Sequence, residues 1–117
     1  MDLDSAIGKH AEWKMKFRNA IAKQEQIDAA TLAKDNCCDL GKWLHGEAKT
    51  SFSRLASHAE CIKKHASFHV EAGKVATAIN AKKYAEAEAM IAGGTSYAQA
   101  SSAVGVAIMQ LRKEAKL

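Results

Sequence analysis

The sequence predicts an all-α fold: an antiparallel four-helix bundle with one additional short helix in a connection. Three observations predict it. The 117 residues contain no proline, the residue that breaks helix interiors. Ala, Lys, Glu and Gln are plentiful, and these side chains favour helix. Apolar residues recur at three- and four-residue spacing through most of the chain. A chain of this length is expected to form one domain, residues 1–117, around one modest core.

The first segment runs from about Asp4 to Ala30, with Asp4 or Ser5 able to cap its start. Ile7, His10, Met15 or Phe17, Ile21 and Ile27 recur on it at roughly helical spacing. From Thr31 to Gly46 the pattern breaks. Asp35-Asn36 reads as a turn or an N-cap, and a short helical turn is expected to follow through Cys38, Leu40, Trp43 and Leu44. Gly41 there lets backbones approach closely. The third segment, Thr50 to Ala81, carries an apolar stripe of Phe52, Leu55, Ala59, Ile62, Ala66, His69, Val75 and Ile79. Gly73 inside it weakens the helix and so points to close packing. A short Ala- and Glu-rich helix, Ala81 to Ala92, stops at Gly93-Gly94. Thr95 or Ser96 then caps a last helix bearing Tyr97, Ala100, Val104, Ala107, Ile108 and Leu111.

Composition narrows the function classes. The apolar share is 48 % and the charged share 26 %, ordinary for a soluble domain. No apolar run approaches the roughly 20 residues of a membrane span, and no signal peptide is evident, so the expected location is cytoplasmic, without membrane insertion. The formal charge of +4 comes from scattered Lys and Arg, which predicts a solvated surface and no nucleic-acid partner. Three cysteines in a reducing compartment read as thiols or metal ligands.

The chemistry-bearing residues begin with His65 and His69. Four residues apart on a helix, the two imidazoles stack on one face within reach of a single ion. Burying such a pair without partners would leave polar nitrogens unsatisfied, and a metal removes that cost. His10 from the first segment and Cys38 from the short helix complete a tetrahedral set of three nitrogens and one sulfur, which suits Zn2+. A cysteine at a helix N-terminus has its thiolate favoured by the helix dipole. Cys61, four residues before His65, and Cys37 are the substitute ligands. His58 lies seven residues before His65, roughly 10 Å along the helix, too far to share an ion with His69. His45 is expected in an exposed loop, and Trp13 and Trp43 as packing around the site. Four protein ligands leave no open position, and no Glu stands as in His-Glu-x-x-His, so no enzymatic role is expected.

Taken together these residues resemble the chemoreceptor zinc-binding domain, a family of bacterial cytoplasmic sensor modules. The family pattern is a His with a Trp three residues later, then Cys-x-x-Gly-x-Trp, then His-x-x-x-His. This chain supplies them in that order as His10 and Trp13, Cys38, Gly41 and Trp43, and His65 and His69. The stretch Tyr84 to Met90, Gly93-Gly94 and Tyr97 also resembles the family's closing helices. The resemblance implies a four-helix bundle holding one zinc through His10, Cys38, His65 and His69. It implies a chemoreceptor or diguanylate cyclase signalling module as partner, in cis or in trans, and a homodimer in at least some members. It implies control of that module's output, in chemotaxis for example, by zinc occupancy or by oxidation of the ligand Cys. The chain departs from the pattern in carrying Cys37 and Cys61, each a possible resolving thiol. Two readings from other classes compete: a metal-free structural or dimerisation bundle, and a bundle binding a different cofactor such as di-iron or haem.

Overall fold

The computed structural model describes all 117 residues, and every regular element in it is a helix. In chain order these are α1 (Leu3–Ala11), α2 (Trp13–Lys23), α3 (Ala29–Leu32), α4 (Asp39–His45), α5 (Glu47–Phe52), α6 (Ala56–Asn80), α7 (Tyr84–Met90) and α8 (Ser96–Ala115). The all-α expectation holds, but the segment bounds shift for identifiable reasons.

The first predicted segment is two helices, not one. Asp2 caps it by accepting the Ser5 N–H at 3.1 Å, two or three residues earlier than expected. Glu12 separates α1 from α2 yet keeps helical angles (φ −63°, ψ −22°), so the chain direction is retained. The segment then stops at Lys23 rather than Ala30, because Gln24 adopts a left-handed φ of 55°. The Glu25 N–H reaches the Ala20 carbonyl and the Gln24 N–H the Ile21 carbonyl, which is the Schellman closure usually made with glycine. Lys82 ends α6 and Lys116 ends α8 in the same way. By contrast Gly94, where glycine did signal a stop, has φ 79° as expected.

The third predicted segment is also divided, into α5 and the 25-residue α6. No neighbouring side chain caps α6. Glu114, near the end of α8, does so instead, accepting from the Ser57 N–H (3.1 Å) and hydroxyl (2.6 Å). Thr95 caps α8 as expected; the short helix forms where expected, as α4, but its N-cap is Cys38 rather than Asp35 or Asn36.

Contacts between helix ends set the layout. The start of α6 meets the end of α8 through Ser57 and Glu114, and the start of α1 meets it through Asp4 and Arg112, 3.5 Å apart. Phe17 of α2 packs on Tyr97 at the start of α8, while Ile27 meets Asn80 at the end of α6. All the buried apolar side chains except Ala48 form one cluster drawn from Leu3 to Leu111, with Phe17, Leu40, Leu44, Phe68, Ile79, Ile108 and Leu111 among its largest members. No helix is long and apolar enough to cross a membrane.

Candidate metal centre

Two glycines set how closely the connecting segment lies on its neighbours. A Cβ on Gly41 would collide with the Asp35 carbonyl, and a Cβ on Gly73 would come within 2.7 Å of Ala33 Cβ. Glycine at both places therefore brings residues 32–38 down onto α4 and α6. This carries Cys38 to the face of α6 bearing His65 and His69.

The four expected residues meet. His10 on α1, Cys38 at the N-cap of α4, and His65 and His69 on α6 each direct one donor atom into a space where all four atoms lie within 4.8 Å of one another. Cys38 Sγ is 3.2 Å from His65 Nε2 and 3.5 Å from His69 Nε2, and the two Nε2 atoms are 3.0 Å apart. In a tetrahedral zinc site with ordinary bond lengths, nitrogens sit roughly 3.3 Å apart and sulfur roughly 3.6 Å from nitrogen. The spacing of Cys38, His65 and His69 is within a few tenths of an ångström of that, and His10 completes the set within the 4.8 Å bound. The three imidazoles are buried and Cys38 is half-buried.

Hydrogen bonds decide what the converging atoms are. His10 Nδ1 faces the Ala6 carbonyl at 2.7 Å, and His69 Nδ1 faces the Leu32 carbonyl at 2.8 Å. A carbonyl only accepts, so in both rings Nδ1 carries the proton and Nε2 is left as a lone pair. His65 Nδ1 is buried with no protein partner. The ring of Phe68 backs the site, 5.1 Å from His10 and 5.4 Å from His69 between centroids.

The surroundings keep the imidazoles neutral. Burial, reinforced by the neighbouring His69, His10 and His45, lowers the His65 pKa to about 3. Burial also lowers His10 and His69, opposed in each by the carbonyl bond and, for His69, by the charge of Asp35. Cys38 departs from the helix-dipole expectation. Its sulfur does accept the Gly41 N–H at 3.3 Å, which favours the thiolate. Burial outweighs this and raises the thiol above its ordinary value. A bound cation is what would reverse that balance. Three neutral imidazoles and one thiolate are a donor set that fits zinc.

The remaining candidates fall outside the cluster. Cys61 is fully buried in the apolar core, its thiol pushed up to about 12 by desolvation, and Cys37 is exposed. His58 bonds the Leu44 carbonyl at 3.0 Å. His45 is exposed as expected, but it ends α4 and pairs with Asp35 at 2.9 Å. Trp43 packs on Phe52, and Trp13 on Phe17. Sequence reasoning missed the two carbonyl acceptors. That of Ala6 had a signal, since it lies one helical turn before His10; that of Leu32 had none. The centre is also less sealed than packing alone suggests. A cleft lined by Lys9, Trp13, Lys16 and Cys37 reaches His10, Cys38 and His69. A second, lined by Ile27, Thr31 and Leu32 and sharing Trp13 and Cys37 with the first, also reaches Cys38 and His69.

The family model of the chemoreceptor zinc-binding domain matches residues 10–76, a stretch that contains all four converging residues. No curated protein and no solved structure matches the chain. With more than half of its length matched, the chain belongs to the chemoreceptor zinc-binding domain family.

Proposed function

We propose that this chain is a zinc-binding regulatory domain of bacterial signalling, holding one zinc through His10, Cys38, His65 and His69. The observation that carries the reading is the convergence of two carbonyl-fixed lone pairs, a third imidazole nitrogen and a sulfur within 4.8 Å. With Cys38 as the thiolate these become four electron pairs turned on one another, and zinc supplies the positive charge that makes the arrangement favourable. With four protein donors the coordination is complete, so the site binds and does not catalyse.

The chain's own residues suggest how occupancy becomes a signal. His10 belongs to α1, Cys38 to α4 and the His pair to α6, so binding ties three separate elements together and release frees them. The end contacts of α8 with α1 and α6 support grouping α1–α2, the α3–α5 return, α6 and α8 as one domain with an antiparallel four-helix arrangement, α7 being the extra short helix. We place the module in the cytoplasm, as a homodimer, controlling a chemoreceptor or diguanylate cyclase in cis or in trans, with neither nucleic acid nor membrane insertion involved. Cys38 is the one oxidisable ligand and lies open to two clefts. Its oxidation to sulfenic acid by a peroxide is expected to weaken the site. Unchanged zinc content and unchanged helix packing after stoichiometric oxidant would refute that switch.

Cobalt substitution tests the ligand set. A tetrahedral cobalt spectrum with a thiolate charge-transfer band is expected, lost in Cys38→Ala and kept in Cys37→Ala. A band that survives Cys38→Ala and disappears with Cys37→Ala or Cys61→Ala would reassign the sulfur ligand.

A further inference from the structure

The imidazole of His69 is oriented by a segment remote from it in sequence. Its Nδ1–H donates to the carbonyl of Leu32 at 2.8 Å, so the position of α3 decides whether Nε2 points into the cluster as a lone pair. Two residues of α6 outside the ligand set hold α3 there. One helical turn beyond His69, Gly73 receives Ala33: an added Cβ would stand 2.7 Å from Ala33 Cβ and 3.1 Å from Ala33 Cα. At the end of the helix, Asn80 clamps the chain entering α3. Its Oδ1 accepts the Ile27 N–H at 2.8 Å, and its Nδ2 donates to the Ile27 carbonyl at 2.6 Å. Leu32 thus lies between two fixed points, Ile27 and Ala33, both anchored on the helix that carries His69.

We propose that Gly73 and Asn80 are positioning residues: they dock the segment from Ile27 to Ala33 on α6 so that the Leu32 carbonyl holds His69 in its Nδ1–H tautomer, with Nε2 presented to the metal. This rests on the zinc reading for its consequence but not for its geometry. Helix propensity alone argues against glycine at position 73, since Ala is the better helix former. Close docking is the compensating reason for it. A carbonyl that orients a ligating imidazole typically changes metal affinity by about 10–100-fold.

The experiment uses the full chain with Gly73→Ala, the double variant Gly73→Ala/Ala33→Gly, and Asn80→Ala. Two quantities are read: the imidazole tautomers in metal-free protein by nitrogen-edited NMR, and zinc affinity by chelator competition. In the wild type His69 is expected wholly in the Nδ1–H form. Gly73→Ala is expected to mix its tautomers while His10, bonded within its own helix, keeps its proton on Nδ1, and to weaken zinc about 10–100-fold. The double variant removes the 2.7 Å clash and leaves only the 3.1 Å approach to the Cα of residue 33, so it recovers most of both. Asn80→Ala, which adds no bulk, shifts His69 in the same direction, and decides the matter if Gly73→Ala fails to fold. A pure Nδ1–H signal at His69 in a folded Gly73→Ala or Asn80→Ala protein overturns the proposal. A wild type that binds no zinc but shows the tautomer changes would refute the zinc reading and leave the positioning intact.

Discussion

The two halves of α6 both bury side chains, but of opposite kinds. From Ala72 to Ile79 the buried side chains are Ala72, Gly73, Val75, Ala76, Ala78 and Ile79. From His58 to His69 they are His58, Cys61, His65, Phe68 and His69. In the later half, burial itself is the favourable term. In the earlier half it is a cost until each imidazole nitrogen has a partner. His58 and His69 find backbone carbonyls, while the inward nitrogens of His10, His65 and His69 face one another and Cys38. The later half of α6 can therefore stand on its apolar packing, whereas the His-bearing stretch depends on what occupies its cluster. That difference suits a domain in which a bound ion changes one region without unfolding the rest.

The largest test of this contrast is zinc itself. At a free concentration about a thousandfold above the dissociation constant, linkage predicts roughly 4 kcal/mol of added stability. Hydrogen exchange should show that protection concentrated in α1, α3, α4 and the His half of α6. Protection spread evenly to α7 and α8 would mean that the two regions are not distinct.

Ile79→Ala probes the other half. Its side chain is 1 % exposed, and truncation there is expected to cost about 2–5 kcal/mol in denaturant unfolding while leaving zinc affinity unchanged. His65→Leu should do the reverse, abolishing zinc binding while keeping or raising the stability of the metal-free protein, because it removes a buried polar ring. Equal effects of both substitutions on both quantities would break the comparison.

Proton linkage gives a smaller, sharper signal. Burial places the His65 pKa at about 3 and holds His10 and His69 below their ordinary 6.5. As pH falls below 6.5 the unfolded chain takes up protons that the folded one refuses, so metal-free stability drains away towards pH 3. The thiols of Cys38 and Cys61 are raised above their ordinary 9.0. The unfolded chain therefore loses those protons first, and stability also falls as pH rises beyond 9. Between these limits the imidazoles are neutral and Cys38 is protonated, so zinc binding at pH 7.5 should release about one proton. Calorimetry in buffers of different ionisation enthalpy measures it; release of two or more would show that a histidine is charged in the metal-free protein.

The site was more legible in the sequence than the fold around it, for a physical reason. The spacing of His65 and His69 translates directly into a shared helix face, and Gly41 beside Cys38 announces a close approach that the Asp35 carbonyl indeed makes. Helix ends were harder. Gln24, Lys82 and Lys116 adopt left-handed backbone without being glycine, so nothing in their side chains marks the stop. The start of α6 is capped by Glu114, 57 residues away from Ser57 in the chain. The Leu32 carbonyl is a backbone group, which any residue at that position would offer. Local chemistry was readable, and tertiary capping was not.

The most direct test of the zinc site is metal content by mass spectrometry on protein purified without an affinity tag, beside Cys38→Ala. Both are loaded with zinc and freed of excess. About one zinc per chain is expected, lost or sharply reduced in the variant. No retained zinc in the wild type, or the same content in both, would contradict the assignment of His10, Cys38, His65 and His69 as a zinc centre.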